Sequence, residues 1–295
     1  MSDGTALSLL IDDTFEGLLT AVFDSYSLSP TPSNIQSAVG LQPLFGWRYR
    51  EIATDEKKAA RVVAGVRRRM GHLGYEKIWQ GFLHADPARY AAIYRYIRLG
   101  MRIGTEIHLR LTNPTVMAVD KLCALTGREA GLLREFIRFS KLEGGVYYAE
   151  IDPEHAILPL LMPHFADRFN TQPFLIHDKT HALAGVYDRR EWYITPTEGL
   201  QLPAYSADEQ AYRRMWKAFY DTIAIKERVN HALRRQHMPK KYWKNIIELQ
   251  PDFVLRRIAP ADSRLFVRQS LFRLPTRRRL WYYLPMKGKE GPALE

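Results

Sequence analysis

The hydrophobic periodicity of this chain changes near residue 136, and that change limits the folds open to it. Before this point apolar residues recur at helical spacing, as in TDEKKAARVVAGVRRRMG, which predicts a helix from an N-cap at Thr54 to Gly71. After it come short runs rich in aromatic and β-branched residues, PFLIHD, LAGVYD and EWYIT. We therefore predict an α+β protein with a mostly helical N-terminal region, a small mixed β-sheet around residues 136–195 and a basic helical C-terminal region.

Local signals divide these regions further. The segment LSLLIDDTFEGLLTAVFDSY predicts a short strand and then a helix that starts at a capping box of Asp13 and Glu16, and SLSPTPSNIQS predicts a loop. Gly127 is expected to break the helix that follows Asn113.

The rest of the chain predicts a β-unit and then a helical arm. FIRFSKL and VYYAEI, joined by a turn at residues 143–145, predict a hairpin, and the segment after it predicts a helix before the three strands named above. A further helix is expected from a capping box at Ser206 to about Met238. We divide the chain into an α+β core of residues 1–200, helical over 1–135 with a sheet unit over 136–200, and a basic helical region of residues 201–295 packed on it.

Composition excludes several classes of protein. No uninterrupted apolar run approaches the roughly 18 residues that a membrane span needs, and the first residues have no basic and apolar leader, so we expect a cytoplasmic protein. Cys123 is the single cysteine, which excludes an internal disulfide, a multi-thiolate zinc site and an iron–sulfur cluster held by this chain alone. Its apolar helical surroundings favour a buried, inert thiol over a nucleophile.

The net positive charge is concentrated in the C-terminal quarter. Between Lys226 and Lys289 there are 17 Lys and Arg against four Asp and Glu, whereas the other residues have 26 basic and 28 acidic side chains. Nucleic acid is the partner that this asymmetry favours, because each phosphate neutralised by Lys or Arg releases counterions. Solubility or docking of an acidic protein would explain the same charges.

Four of the nine histidines lie within 27 residues: His155, His164, His177 and His181. The spacing of His155 and His164 does not aim both at one point from a single helix. A narrower hypothesis brings His164 from a helix and His177 from a strand together at one end of the sheet, with Asp178 or Glu154. A metal site, an acid–base pair and structural histidines all remain open, and structural histidines are favoured.

Recognisable catalytic motifs are missing from the sequence. It has no glycine-rich phosphate loop, paired cysteine motif, GxSxG elbow or HExxH helix. We expect no cofactor in this chain, predict no metal ligands and leave metal binding undetermined.

The block REFIRFSKLEGGVYYAEIDPEHAILPLLMPHFADRFNTQPFLIHD resembles a bacterial family of unknown function associated with DNA metabolism and DNA repair. IDDTFEGLLTAVF and MPKKYWKNIIEL are similar to the start and end blocks of that family, so the resemblance covers nearly the whole chain. It implies association with a radical S-adenosylmethionine protein, and relatives carry a fused domain similar to uracil-DNA glycosylases. This context assigns no mechanism.

The resemblance also singles out particular positions. They are Phe15, Glu16, Gly17, Arg138, Phe139, Pro153, Pro159, His164, Phe165, Arg168, His177, Asp178, Tyr242, Trp243 and Lys244. Two positions depart from the family pattern: Asp13 stands where a glycine is expected, and Gly131 stands where relatives often have a histidine. His164 and Arg168 are four residues apart on one helical face, which suits joint binding of a phosphate or carboxylate; an ion pair of Arg168 with Asp152 or Glu150 is the alternative.

Mixed basic and aromatic segments supply the candidate nucleic-acid contacts. In RYAAIYRYIRLGMR the arginines follow helical spacing beside Tyr90 and Tyr94, which either stack bases or face the core. PKKYWKNIIEL and LPTRRRLWYYLP combine cations and aromatic planes in the same way. The predicted nucleic-acid-binding residues are Arg95, Arg98, Arg102, Lys240, Lys241, Tyr242, Trp243, Lys244, Arg256, Arg257, Arg277, Arg278, Arg279 and Trp281.

Together these features predict a DNA-binding accessory protein in repair or modification, acting beside a radical S-adenosylmethionine enzyme. The C-terminal arm is expected to supply most phosphate contacts, with no catalysis by this chain alone and no membrane partner. One alternative is an enzyme of DNA or nucleotide metabolism, a hydrolase or glycosylase-like protein, with His164, Arg168, His177 and Asp178 as tentative catalytic residues. Another is a protein adaptor with a basic docking face. Strand state and oligomeric state stay undetermined.

Overall fold

The computed structural model describes residues 6–39, 41, 43 and 45–249 and has the predicted α+β fold. The chain divides into two compact units, one up to Gly127 and one from Arg128 onward among these residues. Arg256, Arg257, Arg277, Arg278, Arg279 and Trp281 lie outside the described residues.

The first unit combines helices with a small parallel sheet. Its elements are β1 (Ala6–Ile11), α1 (Phe15–Ser25), β2 (Asn34–Ser37), β3 (Trp47–Glu51), α2 (Glu56–Phe82), α3 (Arg89–Ile103), a 3-10 segment (Gly104–Leu109) and the first part of α4 (Pro114–Phe136). Both β2 and β3 pair with β1 in parallel. The prediction of a strand followed by a helix at the start is confirmed, but the sheet was not predicted because β2 and β3 are short and largely polar.

The helix starts differ from prediction by one residue. Thr14, not Asp13, caps α1 by accepting a hydrogen bond from the backbone N–H of Gly17, and Asp55, not Thr54, caps α2. Asp13 adopts φ 65°, a left-handed conformation that favours glycine. The glycine expected there by resemblance therefore suits the backbone.

The helix that was predicted to end at Gly71 continues to Phe82 as α2, with an interruption at Gly71. Gly71 has φ 74° and ψ −178°, so two helical segments meet there rather than one continuing through. Gly127, in contrast, does not break α4, which runs from Pro114 to Phe136, so that prediction was wrong. The difference is physical: a glycine interrupts a helix where neighbouring packing demands a positive φ, and otherwise it only weakens the helix.

The second unit contains the predicted mixed sheet. Its elements are the rest of α4, β4 (Ser140–Lys141), β5 (Tyr147–Ile151), α5 (Leu158–Arg168), β6 (Phe174–Asp178), β7 (Leu183–Tyr187), β8 (Trp192–Pro196), α6 (Glu209–Ile223) and α7 (His231–His237). Strand order is β4-β5-β6-β7-β8, with β5 and β6 parallel and the other pairs antiparallel. The hairpin turn uses Gly144 and Gly145 at positive φ.

Alternation along these strands gives the sheet two faces. One face packs against α5, where Leu161, Met162 and Phe165 are buried with Phe174 and Ile176. The other face buries a smaller cluster that includes Leu175, Ala184 and Val186. Side chains of adjacent strand residues therefore lie on opposite faces of the sheet. His177 and its neighbour Asp178 on β6 accordingly have different surroundings.

The C-terminal helical prediction is confirmed only in part. α6 begins at Glu209 without the expected cap from Ser206, and the carboxylate of Glu209 instead accepts hydrogen bonds from the backbone of Lys141 and from Arg213. Beyond α7, residues Lys240–Asn245 and Ile247–Leu249 form 3-10 turns rather than an α-helix. None of the helices in the described part of the chain is both long and apolar enough to cross a bilayer.

The two helical glycines give opposite stability predictions. Replacing Gly71 with Ala should lower the free energy of unfolding by about 1–3 kcal/mol, because its backbone conformation is strained for any side chain. Replacing Gly131 with Ala in α4 should raise it by about 0.5–1 kcal/mol, because a Cβ there meets no atom within 4 Å. Urea unfolding of both variants checks this, and equal effects of the two changes would contradict the assignment of Gly71.

Candidate nucleic-acid interface

A buried carboxylate lies beneath the predicted C-terminal contact residues. Glu129 on α4 accepts hydrogen bonds from the backbone N–H groups of Glu154 and His155, at 2.9–3.1 Å. The ammonium of Lys241 and the hydroxyl of Tyr242 each donate to its Oε1 at 2.9 Å. These bonds join two separated segments of the second unit to one side chain of α4.

The same hydrogen bonds set the ionisation of Glu129. Burial by itself would raise the pKa of this carboxyl, but the donors from Glu154, Lys241, His155 and Tyr242 outweigh it and hold the pKa below its usual value. Glu129 is therefore a buried anion whose charge is balanced within the unit.

The neighbouring lysine is also neutralised. Lys244 pairs with Asp152 at 2.8 Å, and Asn245 donates to the second oxygen of the same carboxylate. Tyr242 is buried, so its ring is not accessible to a base, and the indole N–H of Trp243 donates to the carbonyl of Met238. Lys240, Lys241 and Lys244 are all exposed, and the ammonium of Lys240 lies 6.0 Å from the centre of the Trp243 ring. Lys241 and Lys244 thus each form an ion pair within the unit, and Tyr242 packs in its core.

The four candidate catalytic residues do not form one site. His164 and Arg168 are exposed on α5, which covers one face of the sheet. His177 lies on the other face, where its Nδ1 is 2.9 Å from the hydroxyl of Tyr148. The structure therefore brings His164 and Arg168 together but separates both from His177.

Asp178 has a local structural role. It is fully buried, and its Oδ1 accepts hydrogen bonds from the backbone N–H groups of Thr180 and His181, while Oδ2 lies 2.8 Å from Nδ1 of His181. This is the arrangement of an aspartate that closes a turn. Neither carboxylate oxygen faces His177, because adjacent strand residues point to opposite faces.

His164 and His177 both have a lowered pKa. For His164 the causes are partial burial and the nearby cations of Arg134 and Arg168. For His177 burial outweighs the nearby carboxylate of Glu150. Both are expected to be neutral near pH 7, and no cluster of three or more potential metal ligands occurs in the described ranges.

The predicted arginines of α3 lie in a larger basic surface of the first unit. Arg95 and Arg102 are exposed, and Arg98 is partly exposed on the same helical face. Between Lys57 and Tyr75 in α2, and between Arg89 and Thr105, the sequence has ten Lys and Arg and no Asp or Glu. α2 and α3 pack on each other, and Arg69 donates hydrogen bonds to the backbone carbonyls of Met101 and Arg102.

Most of these arginines have no acidic partner. Within the part of the chain that the structure describes, no carboxylate pairs with Arg61, Arg67, Arg68, Arg69, Arg95, Arg98 or Arg102. Their positive charge is therefore available to an external anion. We call the exposed side chains of Arg61, Arg68, Arg95 and Arg102, together with the partly exposed Arg98, the α2–α3 basic face.

The tyrosines beside these arginines are structural. Tyr90 and Tyr94 are buried, and the Tyr94 hydroxyl donates to the carbonyl of Pro32. Of the two interpretations of this segment, core packing is the one found. Sequence reasoning missed the arginines of α2, although the absence of acidic residues between Lys57 and Tyr75 and throughout α3 was a usable signal.

An exposed apolar stripe occupies α6, α7 and the connection between them. Its members are Tyr212, Met215, Trp216, Phe219, Ile223, Ile225, Val229 and Leu233, each between 43% and 66% exposed. Beside its second half is an open groove of about 560 Å³ that includes Arg228 and Arg234. A contiguous surface of this kind is typical of interaction sites.

Comparison with known proteins identifies a family without an assigned activity. Residues 87–248, slightly more than half of the chain, match the family described as domain of unknown function DUF4130. No curated protein matches the chain at a significant level. The matched range contains α3, the five-stranded sheet and Glu129 with its partners.

Replacement of Glu129 with Gln should lower the free energy of unfolding at pH 7 by about 2–3 kcal/mol, because bonds to a charged acceptor are lost and an amide N–H₂ meets the donors. The lowered pKa means that this stabilisation is present above pH 4.5 and is lost as the pH falls through the folded-state pKa. Urea unfolding at pH 7 and below pH 4.5 measures the difference. Glu106→Gln, at an exposed ion pair with Arg110, should change stability by less than about 0.5 kcal/mol.

Proposed function

We propose that this chain, which belongs to the DUF4130 family of unknown function, is a DNA-binding accessory protein in DNA repair or modification. The observation that carries the proposal is the α2–α3 basic face, where arginines of two packed helices have no acidic partner among the described residues. Guanidinium groups bind phosphate oxygens in a planar, bidentate geometry, so such a face suits a phosphodiester backbone.

This proposal places the main DNA contact on the α2–α3 basic face, whereas the sequence alone favoured the C-terminal arm. The C-terminal arm was expected to supply most phosphate contacts; its arginines from Arg256 onward lie outside the described residues, and Lys241 and Lys244 are paired with carboxylates of their own unit. A phosphate would have to displace those partners, which reduces its net gain. Arg95, Arg98 and Arg102 of α3 carry no such cost and are the preferred phosphate contacts.

The proposed partner is an enzyme that carries a radical S-adenosylmethionine cluster. This part rests on the family resemblance described above and on the single cysteine, since one thiolate does not hold an iron–sulfur cluster. In this arrangement the chain supplies affinity for DNA and its partner supplies the chemistry.

Paired charge removals test which basic surface binds DNA. Arg95→Gln combined with Arg102→Gln should weaken binding to labelled DNA and reduce the slope of log affinity against log salt by about 1 per lost phosphate contact. Lys241→Gln combined with Lys244→Gln removes the same charge from paired positions and should leave the slope nearly unchanged. Fluorescence anisotropy between about 50 and 200 mM salt measures both, because counterion release dominates there.

Either of two results would reject this assignment. The first is absence of DNA binding by the wild-type protein at low salt. The second is a larger loss of DNA affinity in the double lysine variant than in the double arginine variant, when circular dichroism shows that both variants are folded. The second result would indicate that the C-terminal segment is the main DNA-binding surface.

The enzymatic alternative predicts a different result at the histidines. His164→Ala combined with His177→Ala should leave DNA affinity within about twofold of wild type, because neither imidazole belongs to the α2–α3 basic face. If the wild-type protein turns over a damaged or modified DNA substrate and this variant does not, the result would instead support catalysis. The positions of His164 and His177 on opposite faces of the sheet favour the binding role.

A protein adaptor is the second candidate, and the apolar stripe of α6 and α7 favours it. Trp216 and Phe219 lie at its centre and are 43% and 54% exposed. An adaptor role predicts that Phe219→Asp abolishes binding to the purified cluster-bearing partner, after nuclease treatment, without changing DNA affinity. Such an adaptor role is compatible with DNA binding, because the stripe and the α2–α3 basic face belong to different units.

A further inference from the structure

We infer that Tyr26 and Arg98 form a stacking site for an unpaired nucleobase, so that the DNA bound at the α2–α3 basic face is single-stranded. This inference rests on the proposed function and specifies the strand state of its ligand. It uses an aromatic side chain that the sequence analysis did not select.

Tyr26 presents an exposed ring at the end of α1. It is the C-cap residue of that helix and is 55% exposed, although Tyr90, Tyr94 and Tyr96 in the same unit are buried. The guanidinium of Arg98 lies 4.8 Å from the centre of the Tyr26 ring. More than half of the residue stays accessible with Arg98 in place, so a planar ligand has room to stack.

Buried groups hold Arg98 in this position. Its Nη1 donates to the hydroxyl of Tyr94 at 3.3 Å, and that hydroxyl donates to the carbonyl of Pro32 at 3.1 Å. Tyr94 is 2% exposed and therefore fixed in the core. The arginine is thus oriented before any ligand arrives, which lowers the conformational entropy lost on binding.

Cations from a second helix lie beside the same end of α1. Arg61 of α2 is 4.8 Å from the ring centre of Phe23, three residues before Tyr26. The nearby acidic group is Asp24, and Lys58 pairs with it at 2.8 Å. Arg61 and Arg98 therefore have no competing carboxylate partner in the described part of this unit, and both are available to phosphates next to a stacked base.

The combination of a ring and flanking arginines favours a single strand. In a duplex the bases are stacked on one another and their faces do not reach a surface tyrosine. In a single strand a base can stack on Tyr26 while the adjoining phosphates reach Arg61 and Arg98. Stacking of this kind tolerates every base, so we expect strand selectivity with little sequence preference.

The test compares full-length protein and its Tyr26→Leu and Tyr26→Phe variants on a labelled oligothymidylate and on a duplex of equal length. Tyr26→Leu should weaken binding to the single strand roughly tenfold, the loss expected for one aromatic stacking contact, and leave duplex affinity unchanged. Tyr26→Phe keeps the aromatic plane and should bind as wild type. Tyr212→Leu, which removes a 62% exposed tyrosine from α6, is the matched control and should also bind as wild type.

A direct optical readout separates stacking from a general effect on folding. A single-stranded oligonucleotide containing 2-aminopurine should lose fluorescence on binding wild type and Tyr26→Phe, because the base stacks on the ring. It should keep its fluorescence when saturated with Tyr26→Leu. Quenching by Tyr26→Leu equal to that by wild type would overturn the stacking site.

The outcomes distinguish this inference from the proposed function. If Tyr26→Leu binds the single strand as tightly as wild type, while Arg95→Gln with Arg102→Gln binds weakly, the stacking site is wrong and DNA binding stands. Equal losses on single strand and duplex would also reject the strand selectivity. Absence of binding to either DNA by the wild-type protein would reject the proposed function itself.

Discussion

The charge of Glu129 must be balanced inside the second unit, and this requirement organises much of the surrounding structure. A buried carboxylate is costly unless donors surround it. Here the backbone N–H groups before α5 and the side chains of Lys241 and Tyr242 supply them. One side chain of α4 therefore links the connection into α5 and the turn that contains Lys241 and Tyr242. Lys241 and Tyr242 are more than 100 residues from Glu129 in the sequence.

Ion pairing also separates two kinds of basic residue that look alike in the sequence. Arg138 pairs with Glu248 and Lys244 with Asp152, so these cations hold the last described segment of the chain in place. Arg95, Arg98 and Arg102 of α3 have no such partners in the described ranges, because their own helix contains no acidic residue and α2 contributes none between Lys57 and Tyr75. Arg89 at the start of α3 differs, since it pairs with Asp13. The first unit contains both kinds, because Lys58 pairs with Asp24 there while the arginines of the α2–α3 basic face remain available to a ligand.

Local patterns predicted the elements well where burial and backbone preference agree. The strands β6, β7 and β8, the hairpin turn at Gly144 and the interruption at Gly71 were all evident in the sequence. The failures have a common cause, which is that partners distant in sequence decide the outcome. The polar strands β2 and β3 exist because β1 pairs with them, and Lys241 is neutralised by a residue of α4 that no local pattern connects to it. The opposite faces occupied by His164 and His177 likewise follow from strand pairing rather than from their spacing.

The interruption at Gly71 has a consequence for how this protein can change over evolutionary time. Before it, α2 carries a run of exposed cations opposite the buried Val66 and Met70; after it, α2 supplies Tyr75, Ile78 and Trp79 to the interior. A continuous helix would rotate both sets together, whereas a break lets each half keep its own orientation. Exposed positions such as Arg61 and Arg68 are therefore free to drift toward a new ligand without disturbing the packing on which the unit's stability rests.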